Sequence, residues 1–148
     1  MNNENKIIIY QVFTRLFGNN NNHCVYNGDI VTNGCGKMAD FTLKALSEIK
    51  KLGTTHIWYT GIIEHATQTD YRRYNISPDH PAIVKGKAGS PYAIKDYYDV
   101  DPDLANDIPE RMREFENLVR RTHRAGLKVI IDFVPNHVAR QYHSDAQP

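Results

Sequence analysis

The sequence predicts an α/β fold in which parallel strands are joined by helical crossovers. Three segments, at residues 6–13, 55–61 and 129–134, are rich in the β-branched and aromatic residues that favour strands. Each strand is separated from the next by a segment whose apolar residues have helical spacing. Because strands that alternate with helices become parallel neighbours, we expect three parallel strands and two crossover helices.

The first strand, residues 6–13, is apolar without a clean alternation of apolar and polar positions. This pattern is typical of a strand buried on both faces of a parallel sheet. The first helix follows, and we expect Asp40 to cap it and Gly53 to end it in a left-handed conformation. Its apolar positions predict a broad buried stripe, formed by Phe41, Leu43, Ala45, Leu46, Ile49 and Leu52.

The second helix is expected to start at Asp107, two residues before Pro109, and to continue up to Gly126. The third strand is expected to reach Val134, because Pro135 lacks the N–H group that a longer ladder needs. The residues that follow the strand should therefore emerge at its carboxyl end.

Two long insertions interrupt this pattern. About 26 residues separate the first strand from its helix and about 47 separate the second strand from its helix, where a handful is usual. Both follow the carboxyl ends of strands, which is the edge where parallel α/β folds bind ligands. Within the first insertion, residues 25–30 predict a small hairpin that turns at Asn27 and Gly28.

Composition excludes several classes of function. The 18 Lys and Arg residues against 17 Asp and Glu give a net charge of +1, without a basic patch, so we expect no nucleic-acid partner. The apolar runs are far shorter than the roughly 20 residues that cross a bilayer, so we expect no membrane insertion. The N-terminal residues lack the pattern of a secretion signal, which predicts a cytoplasmic protein. Cys24 and Cys35 could form a disulfide bridge or a metal pair, but without a secretory context we expect two unrelated thiols.

Three side chains at the end of the third strand are candidates for ligand contact: Asp132, Asn136 and His137. An Asn amide oxygen can bind a hard cation such as calcium, and a neutral imidazole can donate to a sugar hydroxyl. The same residues could instead form a simple turn with a capping Asn and a packed His. Their spacing leaves both interpretations open.

The second insertion is dense in aromatic and acidic residues, among them Tyr92, Asp96, Tyr97 and Tyr98. Sugars bind through stacking on aromatic rings and through hydrogen bonds to carboxylates, and these side chains supply both kinds of group. Tyrosines in a long loop can equally anchor that loop to the body of the protein. For each single tyrosine both interpretations remain open.

A run of alternating carboxylates, Asp99, Asp101 and Asp103, imitates the calcium loop of an EF-hand. Leu104 occupies the position that requires Gly, and Pro102 interrupts the loop. We therefore reject an EF-hand and assign these carboxylates no metal.

Several segments resemble the α-amylase family of glycoside hydrolases. Residues 132–137, Asp-Phe-Val-Pro-Asn-His, are similar to the family's first conserved region at the end of strand three. Residues 90–98, Ser-Pro-Tyr-Ala-Ile-Lys-Asp-Tyr-Tyr, are similar to the segment whose tyrosine stacks on the sugar. The resemblance implies a partial (β/α)8 TIM barrel, with all of residues 1–148 forming the N-terminal part of the catalytic barrel.

The resemblance also implies roles for individual residues. Tyr92 would stack on the reacting sugar ring and His137 would hydrogen-bond it. Asn136 would bind a structural calcium ion. Asp132 and Asp96 would support the site through hydrogen bonds, and neither would be the nucleophile.

The function implied by the resemblance is retaining hydrolysis of α-glucosidic bonds in starch-like glucans or maltooligosaccharides. That chemistry needs two carboxyl groups about 5 Å apart. In the family these two carboxyl groups come from strands four and five, so we expect no catalytic residue in this chain and no activity of the chain alone. We expect the chain to need the rest of the barrel, either covalently attached or as an associated partner. The alternatives are a non-enzymatic carbohydrate-binding α/β module or inert remnant, and a glucan transferase or a trehalose- or isomaltulose-type isomerase of the same family.

Overall fold

The predicted α/β architecture is confirmed in the computed structural model, which describes residues 6–147. In chain order the elements are β1 (Ile9–Phe13), α1 (Ile30–Asn33), α2 (Leu43–Lys51), β2 (His56–Thr60), β3 (Ile63–His65), β4 (Ile94–Val100), α3 (Arg111–Arg124) and β5 (Lys128–Ile131). Strands β1, β2 and β5 form one parallel sheet in the order β1-β2-β5. Helices α2 and α3 are the two predicted crossovers, and β5 is the predicted third strand.

The register of the parallel sheet brings the carboxyl ends of its three strands to one edge. Tyr59 of β2 pairs with Val12 on one side and with Ile131 on the other. The Tyr59 ring is fully buried, and its hydroxyl lies 2.7 Å from Thr122 Oγ1 on α3. This contact attaches the second crossover helix to the centre of the sheet.

The outer strands of the sheet are more exposed than the sequence predicted. Val12 of β1 is buried, but Ile9 is 49% exposed and Ile131 of β5 is 39% exposed. The prediction that the first strand is buried on both faces is therefore wrong for residues 6–147. The physical reason is that β1 and β5 each have a single parallel neighbour, so their apolar side chains lack partners on the outer side.

The start of helix α2 differs from the prediction. Asp40 ends a short 3-10 turn, and its carboxylate accepts the Lys37 N–H at 2.6 Å rather than capping the helix. Thr42 caps α2 instead, because its Oγ1 accepts the Ala45 N–H at 3.2 Å. The predicted cap was thus two residues too early.

The buried stripe of α2 is narrower than the broad stripe we expected. Leu46 and Ile49 are buried against the sheet, whereas Leu43 and Leu52 are exposed. Gly53 follows the helix with φ +83°, which confirms the predicted left-handed residue.

The second crossover begins close to the predicted position. A 3-10 turn, Ile108–Glu110, leads directly into α3, with Pro109 in its first turn. The side chain of Asp107 makes no capping hydrogen bond, and its backbone N–H donates instead to Glu114 Oε1 at 2.7 Å. Gly126 ends the crossover with φ +74°, as predicted.

Strand β5 ends at Ile131, three residues before the predicted end at Val134. The next residue, Asp132, places a carboxylate oxygen 3.3 Å from the Gly61 N–H. The Asp132 side chain therefore accepts the Gly61 N–H, which a longer β2–β5 pairing would have used, and β5 ends there.

The predicted hairpin at residues 25–30 is wrong, although the turn itself is present. Asn27 has φ +53° and the Gly28 N–H donates to Val25 O at 2.9 Å, which closes a turn. The Asn33 carboxamide then binds both the N–H and the C=O of Val25, the groups that a hairpin partner would need. Asp29 caps the single turn of α1 that follows.

The second insertion contains a two-stranded antiparallel sheet that sequence analysis missed. Strands β3 and β4 pair with Glu64 opposite Asp96 and His65 opposite Ile94, with irregular register between these pairs. This small sheet stands on the carboxyl edge of the parallel sheet, because β3 begins three residues after β2 ends.

Cys24 and Cys35 are free thiols, as predicted. Among the helices of residues 6–147, none has both the length and the apolar character needed to cross a membrane.

Candidate functional site

The carboxyl ends of β2 and β5 hold the first candidate residue, Asp132. Its Oδ1 accepts the indole N–H of Trp58 at 2.7 Å, and its Oδ2 accepts the Gly61 N–H at 3.3 Å. Trp58 lies on β2, the neighbouring strand. These two donors fix the orientation of the carboxylate at the strand ends, in the place where the sequence predicted it.

Asn136 and His137 follow in an irregular segment, and both side chains are exposed. His137 Nδ1 lies 2.9 Å from Asn136 Oδ1, which suits a protonated Nδ1 and leaves Nε2 free toward solvent. Their exposure disfavours the interpretation of a packed histidine and a buried cap. The Asn136 oxygen keeps one lone pair, so it could serve as one of the six to eight or so oxygen ligands that calcium takes.

Tyr97 is an anchor rather than an open stacking surface. Its hydroxyl donates to the backbone oxygen of Val134, in the segment between Asp132 and His137. Its ring lies 5.6 Å from that of Phe133 and 5.8 Å from that of Tyr142, measured between centroids. The second insertion is thereby fastened to the segment that carries the candidate residues.

Tyr92 lies beside the same edge and has an available ring. It is 44% exposed and belongs to a turn closed by the Ala93 N–H, which donates to Ser90 O at 3.0 Å. That turn packs onto Gly61, where a Cβ would lie 3.2 Å from Pro91 Cβ. Since Gly61 directly follows β2, its lack of a side chain lets the turn approach the strand ends.

Asp96 is fully buried and connects β4 to the last described residues. Its Oδ2 accepts from Ser144 Oγ at 2.9 Å and from the Asp145 N–H at 3.0 Å, and its Oδ1 accepts the Tyr98 N–H at 2.8 Å. This carboxylate therefore holds residues 144–146 against the small sheet. The resemblance implies that Asp96 supports the ligand site, and that role stays a prediction.

A second set of buried charges beneath the site was missed in the sequence. Lys95 Nζ lies 3.5 Å from carboxylate oxygens of both Glu64 and Asp79, and all three side chains are buried. Burial raises the pKa of Glu64 to about 8, because Lys95 offsets that effect only in part and Asp99 adds to it. Alternating charge along a strand looks like a solvated loop in the sequence, so no signal marked these residues as buried.

Glu64, Asp96 and Asp99 offer carboxylate oxygens that all lie within 4.8 Å of one another. They are poor ligands for a cation, however, because Asp96 already accepts four hydrogen bonds and Asp99 is paired with Arg111. A proton on Glu64, rather than a bound cation, explains how three carboxyl groups can lie this close together, because it removes one of the three repelling charges. The cluster does not include Asn136, so calcium at Asn136 stays a prediction.

The carboxylates that imitate an EF-hand loop belong to a buried network of ion pairs. Asp101 lies 2.9 Å from His65 Nδ1, and Asp103 pairs with Arg15. Burial works against a charged imidazole, but Asp101 outweighs it and raises the pKa of His65. The Tyr71 hydroxyl donates to Asp103 at 2.7 Å. These contacts fasten the second insertion to the end of β1, and they confirm that the run is not an EF-hand loop.

Comparison with known proteins agrees with this architecture. The family model described as alpha amylase, catalytic domain, matches residues 11–147. Alpha-amylase 2 of Dictyoglomus thermophilum is 28% identical over 132 residues, which cover 89% of this chain and 19% of that protein. The amino acid transporter heavy chain SLC3A1 of Rattus norvegicus is 43% identical over 51 residues, which cover 34% of this chain and 7% of that protein.

A solved structure extends the match to nearly the whole chain. A noncanonic maltogenic alpha-amylase, AmyB, from Thermotoga neapolitana superimposes with a TM-score of 0.57 and 30% identity. The superposition covers 96% of this chain and 26% of that one, so the chain spans about a quarter or less of the proteins it matches. Because the family model matches residues 11–147, the chain belongs to the alpha-amylase catalytic-domain family.

Proposed function

We propose that this chain is the N-terminal part of a glycoside hydrolase that cleaves α-glucosidic bonds in starch-like glucans or maltooligosaccharides. The observation that supports the proposal is the position of Asp132 at the ends of β2 and β5, with the Tyr92 turn packed onto Gly61 and His137 exposed in the segment after β5. Membership of the family and the names of the amylase relatives support the substrate class.

In this proposal each residue has a distinct role. The exposed ring of Tyr92 stacks on the sugar, and the free Nε2 of His137 hydrogen-bonds one of its hydroxyls. Asp132 and Asp96 are positioning residues, since their oxygens are occupied by donors of the chain itself. Asn136 supplies one oxygen ligand of a calcium ion, which would hold the segment after β5 in place.

The nucleophile and the acid/base are proposed to lie outside residues 1–148. Retaining hydrolysis needs two free carboxyl groups about 5 Å apart. Among the described residues, Asp132 is turned toward Trp58, and the buried carboxylates of the second insertion pair with cationic side chains or, at Asp96, accept hydrogen bonds from the chain itself. The chain alone is therefore proposed to be inactive.

The remainder of a barrel is the proposed partner, whether covalent or associated. Ile9 and Ile131 expose apolar surface on the two outer strands of the sheet, and Phe133 does so just beyond β5. Neighbouring barrel strands and helices would bury that surface and pair the open strand edges.

Two other functions share this site. Transfer of a glucosyl unit, or isomerisation of a disaccharide, differs from hydrolysis only in the acceptor. A non-catalytic role is the second alternative, and the similarity to a transporter heavy chain over 51 residues favours it. Product analysis of the complete protein with maltooligosaccharides distinguishes the three functions. Hydrolysis gives shorter sugars, transfer or isomerisation gives rearranged sugars, and a non-catalytic protein gives no turnover.

The decisive test of the site compares variants of the complete protein on maltoheptaose. Tyr92→Ala and His137→Ala are expected to lower kcat/KM at least about fivefold, since each removes a contact worth roughly 1 kcal/mol or more. Tyr98→Ala is the matched control, because Tyr98 is also an exposed tyrosine of the second insertion. Unchanged turnover in both site variants would show that the assignment is wrong.

A further inference from the structure

A cavity of about 590 Å³ lies between the two insertions, and its lining includes neither Tyr92 nor His137. Its volume falls in the range of about 300–1,000 Å³ that is usual for small-molecule pockets. Side chains of both insertions line it, including Leu16, Asn22, Asp29, Val31, Gln68 and Lys87. None of the residues proposed above for sugar binding takes part in the lining.

Three asparagines form a rigid wall of this cavity. Asn19 accepts the Asn21 N–H at 3.1 Å and donates to Asn33 O at 3.0 Å. Asn21 and Asn33 likewise each accept one backbone N–H and donate to one backbone oxygen. A carboxamide can make four hydrogen bonds, so each keeps one N–H and one lone pair. The wall is therefore preorganised and still able to bind hydroxyl groups.

Apolar surface lies beside these amides. Leu16 and Val31 both line the cavity, and Val31 is 86% exposed. Cys24 and Gly28 also line the cavity. A sugar presents hydroxyl groups at its edge and C–H groups on its faces, which matches amides next to apolar side chains.

The charges around the cavity favour a neutral ligand. Asp103 is paired with Arg15, and Asp70 is paired with Arg72 at 2.5 Å. The hydrogen bond from the Thr32 N–H, together with smaller contributions that include the charge of Lys87, lowers the pKa of Asp29. Neither an excess of cations for a phosphate nor a converging set of carboxylates for a metal ion faces the cavity.

We propose that this cavity is a second saccharide-binding site, which holds neutral glucose units of an α-glucan away from the Tyr92 and His137 site. The proposal rests on the proposed function for its ligand class, α-linked glucose. A long glucan could contact both sites at once, and the second contact would raise its apparent affinity through effective concentration.

The test measures binding of a hydrolysis-resistant, sulfur-linked analogue of maltoheptaose to the complete protein in a Tyr92→Ala background, by calorimetry. That background weakens the first site and leaves the cavity intact. Val31→Glu places a charge in the cavity, and Asn22→Ala combined with Gln68→Ala removes two of its amides. Val25→Glu is the matched control, because Val25 is an exposed valine of the same insertion that does not line the cavity.

We expect the background protein and the Val25→Glu control to bind this analogue equally well. The double variant is expected to bind it at least about tenfold more weakly, as two lost hydrogen bonds predict. Val31→Glu is expected to weaken binding as well, because the sugar would have to displace water from the added carboxylate. Equal binding by all variants, or no binding in the Tyr92→Ala background, would overturn the proposal. Failure of the proposed function shows up separately, as unchanged maltoheptaose turnover in Tyr92→Ala and His137→Ala.

Discussion

The replacement of Glu64 by glutamine tests the buried charges that support the site. Burial raises the pKa of Glu64 from its ordinary value of 4.5 to about 8 in the folded protein. Between these two pH values the folded state holds one proton more than the unfolded state. The free energy of unfolding must then fall as pH rises, by about 1.4 kcal/mol per pH unit. From about pH 5 to about pH 7.5 the loss from this one group is about 3 kcal/mol.

Glu64→Gln removes the titrating group but keeps its size and a neutral polar side chain. We expect urea denaturation of the variant to show a pH slope that is flatter by about one proton between pH 5 and pH 7.5. Glu48→Gln is the control, since Glu48 is an exposed glutamate on α2 paired only with Lys51. The reasoning is refuted if Glu64→Gln and the unmodified protein lose stability equally as pH rises.

Three further predictions concern the backbone and the segment after β5. Gly53→Ala should lower the free energy of unfolding by about 1–2 kcal/mol, because Gly53 has φ near +80°. Gly61→Ala should lower it by more, because Gly61 has a similar φ and also a neighbour 3.2 Å from the added Cβ. Equal melting temperatures of the two variants would contradict this. Calcium should raise the melting temperature of the complete protein and Asn136→Ala should remove the effect, so an equal response to chelator would exclude Asn136 as a ligand. Asp96→Ala should speed amide hydrogen exchange at residues 144–146 at least about tenfold, and unchanged protection there would rule out the bracing role.

The parallel sheet and its two crossover helices could be predicted from their apolar residues. In the helices these residues recur at helical spacing on the buried side, and in the strands they form short runs that the sheet buries. Ile57 and Tyr59 on β2, and Leu118 on α3, are buried as that pattern requires. Element boundaries were less predictable, since they depend on single side chains. Thr42 caps α2 in place of Asp40, and both residue types can act as caps.

The small sheet of β3 and β4 could not be predicted, because its strands carry charged residues on buried positions. Glu64, Lys95, Asp96 and Asp99 have the composition of a solvated loop, and their partners lie far away in the sequence. Local patterns contain no information on such long-range ion pairs. The same limit explains the wrong hairpin at residues 25–30, where Asn33 binds the backbone from eight residues away.

The candidate residues were predicted to lie at the carboxyl edge of the sheet, and Asp132 does lie there, because strand order alone brings the ends of β2 and β5 together. The contacts of the candidate site were not predictable from spacing. The approach of the Tyr92 turn depends on Gly61, and the attachment of the segment after β5 depends on Tyr97. Among the tyrosines, only the structure separates the anchor, Tyr97, from the available ring of Tyr92.

The proposed sugar site is tested most directly by a crystal structure of the complete protein with a bound maltooligosaccharide. We predict a glucose ring stacked on Tyr92, with a sugar hydroxyl about 2.7–3.2 Å from His137 Nε2. A ligand bound at the catalytic edge without contact to either side chain would contradict the account.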